Sequence, residues 1–110
     1  MIHKMRLVKF AFDKIKEGTK DIEVRLYDEK RQLINIGDTI EFECMDTKEI
    51  IKVSVIALHR FNTFKELFSH FDNTRLGLSK DEDISIMNKF YSPEEQQKYG
   101  VIGIEIKLIN

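Results

Sequence analysis

Apolar and polar positions change period several times along this chain, and each change predicts an element. Around Met5 to Lys9 they interleave closely, which predicts a short strand. In "FAFDKIKEG" the spacing of Phe10, Ala11 and Ile15 predicts a short amphipathic helix, with Gly18 as its C-cap. The period then becomes two. Ile22, Val24 and Leu26 fall on one face of a strand, and Glu23, Arg25 and Tyr27 on the other. After the turn-rich "DEKRQLINIGD", Gly37-Asp38 opens an alternating strand from Thr39 to Met45, with Ile40, Phe42 and Cys44 on a shared face. Beyond the turn at "MDTKE", the run "IIKVSVIALHRF" is apolar on both faces over much of its length and is expected to be the most buried strand.

Helical spacing returns in "NTFKELFSHF", where Phe61, Phe64, Leu67, Phe68 and Phe71 form a stripe. A further helix is predicted from Ser79 through "KDEDISIMNKFY", with acidic residues in its first turn. Ser92 then caps a helix that has Pro93 at its first position. The amphipathic strand "VIGIEIKLI" follows. The order strand, helix, strand, strand, strand, helices, strand does not alternate as a doubly wound parallel sheet does. An α+β fold is expected instead, a small curled or barrel-like sheet with helices packed around it.

The 110 residues and 42% hydrophobic content fit one domain spanning 1–110, with no linker and no internal repeat. Eighteen basic against nineteen acidic residues leave a net charge of −1, which neither demands nor forbids nucleic acid. Residues 1–35 carry nine Lys or Arg against six Asp or Glu, so an anionic ligand is expected to favour the N-terminal third. Cys44, the single cysteine, excludes an internal disulfide and reads as a buried small hydrophobe. No segment has the run of about 18 apolar residues that a membrane span needs, and the N-terminus lacks a signal-peptide pattern. A cytoplasmic protein without membrane contact is expected.

The cluster in "GTKDIEVR" carries the chemistry. Lys20, Glu23 and Arg25, gathered where a strand meets covering elements, offer donors and acceptors suited to a nucleobase edge or a phosphate. If Ile22, Val24 and Leu26 fill the barrel, then Glu23 and Arg25 face the helices. The competing reading is a structural ion pair between Glu23 and Arg25, with Lys20 solvated at the turn. Tyr27, Tyr91 and Tyr99 are stacking candidates, and Lys30 and Arg31 are candidate phosphate contacts in an otherwise solvated turn. The phenylalanine stripe reads as core. His3, His59 and His70 are too scattered for a metal pattern, and "KDEDIS" lacks the glycine and final Glu of a calcium loop, so neither a metal nor a cofactor is expected.

The stretch "IKEGTKDIEVRLYDEKRQLINIGDTIEF" resembles the activating signal cointegrator homology (ASCH) domain family through Gly18, Lys20, Glu23, Arg25, Gly37 and Asp38. The closing "FYSPEEQQKYGVIGIEIKLI" is also similar to the family's last helix and strand. The resemblance implies a small PUA-like β-barrel with helices around it, and a role in holding RNA or a nucleotide in a cleft lined by Lys20, Glu23, Arg25 and Tyr27. One bacterial branch of the family is a deacylase of N4-acetylcytidine that uses a Lys, a Thr and a Glu. In this chain Lys20 matches the Lys, Glu23 stands where the Thr is expected, and Glu66 is the candidate for the Glu. The alternatives to a binding module are therefore an amidohydrolase of a modified nucleoside, with Lys20, Glu23 and Glu66 as its catalytic set, and a domain that binds protein partners.

Overall fold

The structure, a computed structural model, describes residues 1–78 and 91–109. The helix predicted from Ser79 lies outside the described residues. β1 (Ile2–Leu7) turns Met5 and Leu7 inward. It begins and ends earlier than its own alternation suggests because its partner sets its limits: it runs parallel to β3 (Thr39–Cys44), from Ile2 opposite Thr39 to Leu7 opposite Cys44. Lys9 already belongs to α1 (Lys9–Glu17), whose buried residues are Phe12 and Ile15, one turn apart. Phe10, expected on that stripe, is exposed on the opposite side. Gly18 ends the helix at φ +87°, a conformation that costs glycine little, and its N–H donates to the carbonyl of Ile15.

β2 (Ile22–Leu26) follows, then a 3-10 turn (Arg31–Leu33), β3, and β4 (Ile50–Phe61). α2 (Phe64–His70) is capped by Thr63, whose hydroxyl accepts from the Glu66 N–H, and α3 (Asn73–Leu76) is a single turn. α4 (Pro93–Tyr99) begins with the expected Ser92 cap, completed as a capping box by Glu95. β5 (Val101–Leu108) closes the order.

These strands form one mixed sheet in the order β1-β3-β4-β5-β2, curled into a half-barrel. Only the β1–β3 pair is parallel. β1 and β2 are the two edges, so the barrel has a seam between them. α1 plugs the concave side, where Phe12 and Ile15 join Leu7, Phe42, Ile102 and Ile104 in the larger core. A second core lies on the other side of β2 and β5, where Ile22, Leu26 and Val101 meet Phe64, Leu67 and Leu76 from α2 and α3.

Two sequence expectations give way here. β4 is not the most buried strand: Ile50 and Ile56 are exposed, and the strand is interrupted by a bulge between Val55 and Ala57. β5 takes that place, with Val101, Ile102, Gly103 and Ile104 all buried, and is not amphipathic over its first half. It has strands on both sides, core on its concave face and α2 on the other. A strand covered on both faces reads as continuously apolar.

Candidate functional site

The candidate site is built at the join between α1 and β2. After Gly18 reverses the chain, the N–H groups of Thr19 and Lys20 both donate to the Lys14 carbonyl. The Asp21 N–H donates to the Arg75 carbonyl, and the Asp21 carboxylate takes the Arg75 guanidinium on both oxygens, at 2.9 and 3.2 Å. This clamp holds α3 against the start of β2 and brings the Leu76 carbonyl to the Lys20 side chain.

Lys20 is buried, with 6% of its surface exposed. Its Nζ donates to the carbonyls of Ile22 at 2.8 Å and Leu76 at 2.9 Å, and lies 3.4 Å from Oε1 of Glu23. Those three acceptors match the three donors of an ammonium. Its stem runs under Gly77, where an added Cβ would lie 2.7 Å from Cδ of Lys20. Glu23, 4% exposed, accepts from Nε of Arg25 on its other oxygen at 2.8 Å. Arg25 in turn reaches across the seam, its Nη2 donating to the Arg6 carbonyl of β1 at 2.9 Å. The network thus runs from the floor under α3 to the opposite sheet edge.

Burial pushes the Lys20 ammonium below its ordinary pKa, against the pull of Glu23. For Glu23, burial acts upward, and the cations Arg25 and Lys20 overcome it, holding the carboxyl below the usual carboxylate range. The arrangement is a carboxylate kept ionised between two cations.

The network faces the opposite way from the sequence expectation. Glu23 is paired with Ile104 and Arg25 with Ile102, so both charged side chains share the concave face with the larger core. Ile22 and Leu26, expected to fill the barrel, instead face α2 and α3. The alternation correctly separated the two sets of residues, but both faces of β2 are covered, and alternation alone does not say by which layer. Lys20 is also not solvated at the turn, as the structural reading of the cluster had it, because α3 covers it.

Arg25 opens onto a cavity of about 500 Å³ at the seam, which Arg6, Lys30 and Arg31 also line. Tyr27 packs against the larger core with the Arg60 guanidinium 4.1 Å from its ring centre. Glu66 is not part of the Lys20 cluster: it lines a different cavity of about 950 Å³, between the end of β4 and α4, which Tyr99 also lines. Tyr91 stacks on Phe64 at 5.4 Å, and burial pushes its phenol above the ordinary pKa against the opposing pull of Arg25 and Arg31. Leu76, Gly77 and Arg6 complete the network and escape sequence reading, since two contribute carbonyls and one only an absent side chain. Among the described residues no group of three His, Cys, Asp or Glu side chains is placed to hold a metal ion, and no helix is long and apolar enough to cross a membrane.

The family model of the ASCH domain matches residues 5–110. No curated protein matches the chain. Among solved structures, the chain is similar to the crystal structure of the hypothetical protein PH0355, with a TM-score of 0.87 and 34% identity over 99% of this chain and 100% of that one. It is also similar to the solution structure of protein PF0455 from Pyrococcus furiosus, with a TM-score of 0.74 and 34% identity over 100% and 99% of the two chains. A mutant of ZmASCH from Zymomonas mobilis shares the fold at a TM-score of 0.65 and 15% identity, over 99% of this chain and 73% of that one.

Proposed function

The chain belongs to the ASCH domain family, with its small α+β PUA-like fold, and on that premise we propose that it is an RNA- or nucleotide-binding module that meets its ligand at the Arg25 end of the Lys20–Glu23–Arg25 network. The family is generally thought to bind RNA. The observation that carries the reading is the form of the network: two buried members, Lys20 and Glu23, fix a third, Arg25, at the mouth of a cavity lined by further cations. A buried ion pair is a poor device for stability alone, whereas a guanidinium held in one orientation loses little further freedom when it grips a ligand.

Amide hydrolysis at Lys20 has weaker support. A lysine acting as base or nucleophile needs a free lone pair and a path to substrate. Here Nζ is turned toward two carbonyls and a carboxylate, and Glu66 lines another cavity.

The test is an NMR amide titration with a short mixed-sequence single-stranded RNA at low and moderate salt. Saturable shifts on β2, the 28–31 turn and β1 are expected, weakening as salt rises with a log–log slope of about −0.7 per phosphate contacted. An unchanged spectrum at both salts would overturn the reading.

A further inference from the structure

The turn between β2 and β3 holds an arginine whose side chain its neighbours do not use up. Asp28 accepts from the Arg31 backbone N–H at 3.1 Å and from Nη1 at 3.0 Å, which fixes the guanidinium in place. The side chain is only 15% exposed, and its Nε is buried without a hydrogen-bond partner among the described residues. Buried donors are normally satisfied. A guanidinium held in one orientation is suited to grip an oxyanion through its remaining N–H donors.

Arg31 lines the seam cavity together with Lys4, Arg6, Arg25 and Lys30. The carboxylates of Glu41 and Glu43 line it as well, Glu43 at 3.8 Å from Arg6 and Glu41 at 3.7 Å from Lys52. Of its five cations, Arg6 faces Glu43, Arg25 pairs with Glu23 and Arg31 with Asp28, so the positive charge in excess at this one place rests on Lys4 and Lys30, in a chain whose net charge is −1. Such a concentration focuses anions into the cavity. The cations come from β1, β2 and the turn, so they approach a bound group from several sides. That suits a tetrahedral oxyanion better than a planar carboxylate, and about 500 Å³ leaves room for more than the ion alone.

We propose that the seam cavity is a phosphate subsite, with the Arg31 guanidinium, held in place by Asp28, and Lys4, Arg25 and Lys30 closing around the group. It rests on the nucleic-acid reading for the source of the phosphate, which is either the terminal group of a nucleotide or a backbone phosphodiester.

The test titrates the protein, followed by its amide spectrum, with inorganic phosphate, adenosine 5′-monophosphate, adenosine, and a short RNA with hydroxyl ends. Phosphate and the monophosphate are expected to shift the amides of Lys4, Arg6, Lys30 and Arg31, and adenosine to leave them unmoved. Arg31→Gln is expected to weaken the monophosphate at least about tenfold, the loss of one charge-assisted clamp. Because that change also touches the Asp28 turn, Lys4→Ala with Lys30→Ala, both on exposed side chains, gives an independent measure, with an expected loss of about tenfold. If the hydroxyl-ended RNA displaces inorganic phosphate, the backbone supplies the group; if it does not while the monophosphate does, the terminal phosphate is the source. Equal binding of adenosine and its monophosphate, or full phosphate affinity in the double variant, overturns the subsite. RNA shifts on residues 20–27 without any phosphate binding would overturn the subsite and leave the RNA reading standing, whereas silence from every ligand would remove both.

Discussion

One face of β2 sets Ile22 and Leu26 against Phe64 and Leu67 of α2, while the other sets Glu23 and Arg25 beside Ile104 and Ile102 on the concave side of the sheet. Both faces are covered. The apolar face draws its stability from area removed from water, with nothing left unsatisfied. The charged face is covered on terms that depend on every partner being present: Glu23 answers two cations, Lys20 answers two carbonyls besides, and Arg25 answers the opposite sheet edge. The apolar face can lose a methylene and relax, whereas the charged face cannot lose a charge without stranding another. A protein that needed only to close its barrel has simpler means, and this is the ground on which the charged face is proposed as the ligand face.

The sharpest way to break this contrast is Glu23→Ala. It strands Lys20 and Arg25 as buried cations without a counter-ion, and a loss of about 3–5 kcal/mol in denaturant unfolding is expected. Ile22→Ala on the apolar face, fully buried at 0% exposure, is expected to cost about 2–4 kcal/mol through lost transfer energy and the cavity left behind. The order of the two is the point. If Ile22→Ala proved much the more costly, the charged face would be less dry than its burial indicates, and water would be answering for Glu23. The pair also separates stability from binding: Ile22→Ala should leave RNA affinity of the folded fraction unchanged.

Gly77→Ala sharpens the contrast from the side of the lid. The residue sits at φ +77°, which L side chains rarely adopt, and its new Cβ would press on the Lys20 stem at 2.7 Å. A cost of about 1–3 kcal/mol is expected from the backbone strain, with the displaced Lys20 adding to it. Gly77→Ala in a Lys20→Met background tests that coupling, since a flexible thioether yields where the anchored ammonium does not. The double variant should lose less than the sum of the single changes.

How much of this was legible in the sequence differs between the two faces for a physical reason. Period-two alternation is a local property of the strand, and it separated Ile22, Val24 and Leu26 from Glu23 and Arg25 without ambiguity. The layer that covers each face is set by pairing with β5, some 80 positions away, and by where α1 comes to rest. No local pattern encodes that, so the two faces were exchanged. The same limit hid Leu76, whose contribution is a carbonyl, and the parallel pairing that set the limits of β1. By contrast, Gly18, the Ser92 cap and the Gly37-Asp38 turn are local devices and were readable as such. The candidate charges were found because charged residues crowded beside a strand are visible in composition. Arg31 was legible as a candidate phosphate contact in a polar turn, but its near-burial beside Asp28 was not, since that depends on the fold around it.

Acid is the gentlest probe, and it compares the buried carboxylate with one nearer the edge. Asp38 accepts from the Asn35 backbone N–H at 3.0 Å and pairs with Nε2 of His3 at 2.8 Å. Its pKa is lowered to about 2, first by His3 and then by the Asn35 N–H. Glu23 is held below its usual range by Arg25 and Lys20. A carboxyl whose folded pKa lies below its unfolded value contributes stability that is full above the unfolded value and is lost as pH falls through the folded one. Stability should therefore hold steady from neutral pH to about 4 and decline from there toward 2, as read by urea midpoints across that range. Asp38→Asn should remove part of the decline and, by the same linkage, give up at pH 7 the stability that the ionised carboxylate contributes, though less than Glu23→Gln does, because the amide keeps an acceptor for Asn35 and leaves no buried charge behind. Glu23→Gln should flatten the decline too, but at the expense of stability at pH 7, since the amide cannot neutralise either cation. Equal midpoints for the two variants at neutral pH would mean that Lys20 and Arg25 do not need their counter-ion, and the charged face of β2 would then be covered on the same terms as the apolar one.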